Sequence, residues 1–472
     1  MSGWRDMGRL LDHEVSQALE EGKDPAAVRG VMEQATDLTD LPSLEDVHAR
    51  LLALPVRDDF PFTEPDDLPS ILALRKSAPR ANSLAAPLDD ASLEHKLHGA
   101  WLGRSIGCAL GKPVEYFMDV RNGLSSWERQ KAYLTGVSSA EWPLRDYFPE
   151  RSPAEEVTGV SACPLSTRDH ISFMESDDDI RYTVLAQQML ENEGASFTSE
   201  SVARVWLRSL PYDLVFTAET QAYRNIVLGA NQLRSKQYDD WPHEVDWQWV
   251  SHHLNPYREW IGAQIRVDSY AYAAPGRPEL AAEFAYRDAR ISHAKNGVYG
   301  AMFCAAMIAA AFSTNDVMDV IEAGLEQIPA TSRLYSAMRT TLEICAAHGN
   351  DFDQFEAVIR ALHAEFGHYD PVHTINNAAL CVAALVLSGG DFHRAVTFSV
   401  MGGWDTDCNG ATVGSIVGAM LGARGIPEHW SGRLNDTLLS MVPDYHPIAI
   451  SECARRSLAI ARDVEASSAV RV

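Results

Sequence analysis

Apolar residues along this chain recur at intervals of three and four, and no stretch of useful length alternates with period two. Met7, Leu10, Leu11, Val15 and Leu19 form one such stripe between charged positions, which predicts one or two amphipathic helices within 1–45. Residues 55–87 are rich in Pro, Asp and Ser, with a short helical patch at 71–76, and read as a linker or a wrapping arm. The helical signal strengthens from Leu88 onward. Leu93, Leu97, Ala100 and Trp101 mark one stripe, and Tyr182, Leu185, Ala186 and Met189 mark another. Further helices are predicted over 281–290, 297–312, 316–328, 331–348, 352–366, 376–387 and 392–401. Positions 298–312 are apolar or small on every face, so that helix belongs at the centre of the molecule. The expected fold is all-α: a compact orthogonal arrangement of many helices (88–472) preceded by an N-terminal helical extension and linker (1–87).

Two segments depart from the ordinary pattern. Gly99, Gly103, Gly107 and Gly111 are spaced by four, and so are Gly410, Gly414, Gly418 and Gly422. In a helix that spacing puts each set on one face. Each glycine lowers helix propensity by about 1 kcal/mol relative to alanine, so two such faces imply close packing of one helix on the other. A phosphate-loop reading fails on the strict spacing and the missing strand. A membrane reading fails because the second segment is shorter than about 20 residues and is bounded by Asp405, Asp407 and Arg424.

Composition narrows the function. The chain has 472 residues, of which 46% are hydrophobic and 22% charged, enough apolar material for a sizeable core. Its net charge of −25 repels phosphate backbones and argues against nucleic acid as the main partner. The seven cysteines are widely spaced, with no CxxC pair, and Cys304 and Cys381 read as core residues. A reducing, cytoplasmic setting is expected, with no membrane association.

Candidate chemistry lies in two acidic clusters. Asp405 and Asp407 flank a threonine just before the second glycine segment, and Glu175-Ser-Asp-Asp-Asp179 opens the helix marked by Tyr182. One acid at a helix start is explained as a cap. Six acids in two such places repel one another unless a cation holds them, and oxygen donors suit Mg²⁺, Mn²⁺ or Ca²⁺ rather than zinc. Glu115, two residues past Pro113, reads on its own as a solvated turn acid. Ser292 and His293 fit either a ligand role or a structural cap. Trp241, Trp247, Trp249, Tyr257 and Trp260 fit either an aromatic wall or a packed insertion.

In order, Gly103–Glu115 with its Pro-x-Glu end, Ser176-Asp177-Asp178, Gln264-Ile265-Arg266, Ser292-His293 and the Gly402–Gly422 stretch resemble the motifs of the ADP-ribosylglycohydrolase superfamily. The resemblance spans about 88–430. It implies an all-α fold and a dimetal-dependent hydrolase, using two Mg²⁺ or Mn²⁺ ions, that cleaves the ribosyl C1″ bond of an ADP-ribosylated protein or small ADP-ribosyl conjugate. Carried over, Ser176, Asp177, Asp178, Asp405, Asp407 and Cys408 would be metal ligands. Glu115 would act as a gate or acid/base and, with Asp178 and Asp405, form the catalytic group. Ser292, His293, Arg266 and the inserted Trp404 would bind substrate. Cys408 stands where the family has a threonine, and Asp179, also replacing a threonine, offers another ligand. The alternatives are a hydrolase of another ribosyl or nucleoside compound on the same scaffold, and a non-catalytic ADP-ribose-binding protein.

Overall fold

The two glycine faces meet. In the computed structural model, which describes residues 7–35, 41–76, 88–232 and 245–469, the helix Asp90–Gly111 runs antiparallel to the helix Thr406–Leu421. Gly99, Gly103 and Gly107 stand opposite Gly418, Gly414 and Gly410, and a Cβ at any of the six would overlap the backbone carbonyl of its partner. The missing side chains let the two backbones touch, gaining dispersion contacts that offset the lost helix propensity. Asp89 caps the first glycine helix, its carboxylate accepting from the Ser92 amide at 2.9 Å. The antiparallel register brings Gly111, at the end of one helix, against Thr406 and Asp407 at the start of the other. Thr406 Oγ1 donates to the Gly111 carbonyl at 2.9 Å and fastens the two ends together.

The remaining helices wrap this pair. Lys295–Ala311 is buried on every side except at Lys295, as the all-round apolar pattern predicts, and Thr374–Ser388 is nearly as enclosed. Helices Pro278–Ala289, Val317–Leu325, Arg333–Ala347, Phe355–Phe366 and Phe392–Met401 occupy the segments where the apolar period predicts them, with ends shifted by no more than three residues. Among the described residues, strand structure is limited to one two-residue pair, Thr437–Leu438 with Ile448–Ala449. Also among the described residues, no helix is long and apolar enough to cross a membrane.

Among the described residues the chain starts with three helices, Met7–Glu20, Pro25–Glu33 and Leu41–Leu52, which share a small apolar core around Leu11, Val28, Leu44 and Leu51. Charges tie them to the main body. Arg258, fully enclosed, donates to both carboxylate oxygens of Glu14 at 2.8 and 3.0 Å and to Glu21 at 2.9 Å. Gln17 donates to Glu259 at 2.7 Å, and Lys295 pairs with Glu21 at 2.8 Å. The arm that follows docks in the same manner: Glu64 pairs with Arg333 at 2.8 Å, and the helical patch is the short helix Leu68–Ala73. Removing one member of such a buried set leaves its partners charged and unpaired. Arg258→Ala should therefore cost about 3–5 kcal/mol in urea unfolding and expose the first helices to limited proteolysis.

Candidate functional site

The joined ends of the glycine helices form the floor of a cleft of about 540 Å³. Past Gly111 the chain tightens into a 3-10 turn, Lys112–Phe117, with Pro113 at its start, and this turn carries Glu115 to the cleft. Asp405 occupies the cap position of the second glycine helix, yet its side chain makes no capping hydrogen bond. It lines the cleft beside Asp407 and Cys408. The loop before it turns sharply, with φ of +79° at Gly403 and +56° at Trp404. Ser176, Asp177 and Asp178 reach the same cleft from the start of the helix Asp178–Glu193.

Glu115, Ser176, Asp177, Asp178, Asp405, Asp407 and Cys408 thus line one space. Three groups of donor atoms lie within 4.8 Å of one another: Cys108, Asp177 and Asp407; Asp179, Asp407 and Cys408; and Asp177, Asp178 and Asp179. Oδ1 of Asp405 and Oδ1 of Asp407 are buried and, among the described residues, accept no hydrogen bond. Buried carboxylate oxygens without donors are costly, and a divalent cation at that point would satisfy them. The residues present fit such an ion.

The electrostatics follow from crowding. Burial, then the charges of Glu115 and Asp405, raise the Asp407 carboxyl well above the usual range. Burial and Asp177 push Asp178 up to about 8. Burial and Asp405 raise Glu115 well above its ordinary value. Asp177 goes the other way: against the cost of burial, Lys112 holds it below the usual range, with Nζ 2.8 Å from Oδ2. Cys408 is a buried thiol whose pKa is raised by desolvation and by Asp179, and its Sγ donates to Asp179 Oδ2 at 3.1 Å. Asp179 in turn pairs with Arg104 of the first glycine helix at 3.3 Å, and Arg104 pairs with Asp268 at 2.8 Å. Asp179 therefore serves the interior more than the cleft, although it lies within reach of Asp407.

The other sequence-derived candidates take up places behind or beside this floor. Arg266 does not line the cleft. It is buried against Glu219 at 2.6 Å and Asp288 at 2.5 Å, and donates to Ser292 Oγ at 2.8 Å. Ser292 Oγ and His293 Nδ1 are 2.8 Å apart, and burial together with Arg266 lowers His293 well below its ordinary pKa. These three residues position Glu219, which does line the cleft and rests against Gly262. Trp404 is buried with its ring stacked on His363, centroids 4.1 Å apart, and its amide donates to Ser126 Oγ. It braces the loop that presents Asp405 and does not reach the cleft. Among the aromatics, Tyr257 and Trp260 line the cleft, whereas Trp247 and Trp249 pack in the helix Trp247–His252. Trp241 lies outside the described residues.

Several cleft residues carry no motif in the sequence. Glu219 is a single acid on the helix Thr217–Gln232, and Asp370 stands alone in a loop. Lys112 did have a signal, since a carboxylate cluster of this density calls for a neighbouring cation. Arg9 and His13 come from the first described helix, where only an amphipathic pattern was legible.

Comparison with known proteins assigns the class. A model of the ADP-ribosylglycohydrolase family matches residues 89–462, which include both glycine helices and every carboxylate of the cleft floor. The protein is accordingly a glycoside hydrolase. It belongs to the ADP-ribosylglycohydrolase family. A solved structure described as an "ADP-ribosylglycohydrolase-related protein complex" is similar at 17% identity with a TM-score of 0.47, over 79% of this chain and 99% of that one. No match is found among curated proteins.

Proposed function

We propose that this chain releases ADP-ribose by hydrolysing the ribosyl C1″ bond of an ADP-ribosylated protein or a small ADP-ribosyl conjugate. The observation that carries this reading is the convergence of Glu115 with Asp177, Asp178, Asp405 and Asp407 on one cleft, with buried carboxylate oxygens left unpaired. Ser176, Asp177, Asp178, Asp405 and Asp407 would hold two Mg²⁺ or Mn²⁺ ions. Such ions, when bound, neutralise the carboxylates and polarise ligand oxygens. In the hydrolysis the bond from C1″ to the acceptor atom breaks, a water oxygen bonds to C1″, and the acceptor leaves with a proton. Glu115, whose pKa is raised by burial and by Asp405, would move that proton. Lys112 fixes the orientation of Asp177, and Glu219 is held toward the cleft by Arg266.

One observation favours a second reading, a binder of ADP-ribose without turnover. Cys408 donates its thiol hydrogen to Asp179 and offers a soft sulfur where an oxygen would suit Mg²⁺, leaving the ligand set one hard donor short. Incubation with Mg²⁺ or Mn²⁺ and ADP-ribosyl-arginine, ADP-ribosyl-serine or O-acetyl-ADP-ribose separates the two. Released ADP-ribose supports the hydrolase, and tight binding with no release supports the binder. Release of a different sugar or base from nucleoside substrates would redirect the substrate class.

On a substrate the parent cleaves, Glu115→Gln should keep the fold and metal binding while lowering turnover by roughly 10²–10⁴-fold, the usual contribution of a positioned acid or base. A variant with near-parental kcat would remove Glu115 from the chemistry.

A further inference from the structure

One wall of the cleft comes from a segment ahead of the family match. Arg9 and His13, one turn apart on the helix Met7–Glu20, line the same space as Glu115, Asp178 and Asp405, whereas the match begins at residue 89. Their placement is built rather than incidental. The His13 ring lies against Tyr257 and Trp260, with centroids 5.3 and 5.4 Å apart. The same helix is anchored through Glu14 to the buried Arg258 and through Gln17 to Glu259.

The charge balance of the cleft gives this wall a role. Eight carboxylates line the cleft, against three strong bases, Arg9, Lys112 and Arg181. Lys112 is taken up by Asp177 and the Ser176 carbonyl. Arg181 donates to the Leu214 carbonyl and to Ser176 Oγ, both at 3.0 Å. Arg9 is exposed and, among the described residues, forms no ion pair. Metal ions at the floor would face the inner end of a ligand, whereas any anionic group nearer the mouth would meet the field of the acids unless a cation stood there. A guanidinium fork matches the paired oxygens of a phosphate. The His13 imidazole, held against Tyr257 and Trp260, adds a ring N–H donor beside the guanidinium.

We propose that the N-terminal helix supplies the anion-binding corner of this cleft, Arg9 and His13 holding a phosphate of a diphosphate-bearing ligand. The proposal rests on the ribosyl-hydrolase reading above for the choice of ligand, and it makes the extension a determinant of affinity that the family-matched region lacks.

The test titrates the full-length protein, in Mg²⁺, with ADP-ribose and separately with ADP. Arg9→Ala should weaken both ligands by roughly 10- to 100-fold, the range for a hydrogen bond to a charged group. Arg9→Lys should restore part of the loss, and added salt should weaken the parent more than Arg9→Ala. Arg29→Ala, which removes an exposed charge from the next helix, should change neither. Equal affinity of the parent and Arg9→Ala for both ligands would overturn the proposal and leave the hydrolase reading standing. Binding of ADP but not ADP-ribose, still weakened by Arg9→Ala, would retain the anion corner and remove the ribosyl reading. A parent that binds neither ligand overturns both.

Discussion

Asp407→Asn should lower divalent-ion affinity by roughly 100-fold or more while the chain stays folded, because a shared ligand should cost at least as much as an outer-shell partner. Asp407 belongs to two of the three donor groups and keeps a buried oxygen without a hydrogen bond. It is a better probe than Asp177, since removing Asp177 would also strip Lys112 of its partner. Binding should carry a proton signature as well. The folded, ion-free Asp178 carboxyl is raised to about 8, chiefly by burial and by Asp177, so near pH 7 it holds a proton that an incoming ion displaces. Affinity should therefore rise with pH until about 8, and calorimetric heats should depend on the ionisation enthalpy of the buffer. Unchanged affinity in Asp407→Asn, with circular dichroism confirming a native fold, would overturn the assignment of this floor as a metal centre.

The second large effect is on stability, and it reverses sign between two glycines. Gly414→Ala places a methyl group inside the backbone of Gly103, where no side chain can move aside. Its cost should be about 3 kcal/mol or more, at or above the upper end for overpacking a core. Gly30 lies within the helix Pro25–Glu33 with nothing within 4 Å of an added Cβ. There the same substitution should stabilise by up to about 1 kcal/mol through helix propensity. Urea unfolding of the two variants beside the parent measures both. A Gly414→Ala variant as stable as Gly30→Ala would mean that the helices do not touch as described.

These two results bear on what the amino-acid pattern could reveal. The glycine spacing states a backbone-to-backbone contact outright, because no other requirement repeats glycine every four residues on two helices. The acidic clusters were legible because like charges that close together need a counterion. Arg266, Ser292 and His293 illustrate the limit. Their chemistry suits a ligand, but burial has turned them toward Glu219, and a motif does not record which way a side chain points. Trp404 is a similar case, since the stack on His363, far away in the chain, explains an aromatic there. The cleft wall at Arg9 was out of reach for another reason. Nothing in a local pattern links position 9 to position 257, and the link is made by Glu14, Gln17 and Glu21 meeting Arg258 and Glu259.

The interlocked glycines also govern which parts of the enzyme can move. Carbonyls seated over glycines behave like the teeth of a ratchet: the next matching position lies four residues along, about 6 Å away at 1.5 Å of rise per residue, and every intermediate offset sets a carbonyl against a side chain. A slip of one notch would carry Asp407 away from the turn that holds Glu115, and smaller slips are sterically closed. The floor of the cleft is therefore an anvil. Its two helices cannot slide past one another by a small step, so Gly111 and Thr406, at the ends that meet under the cleft, stay in register.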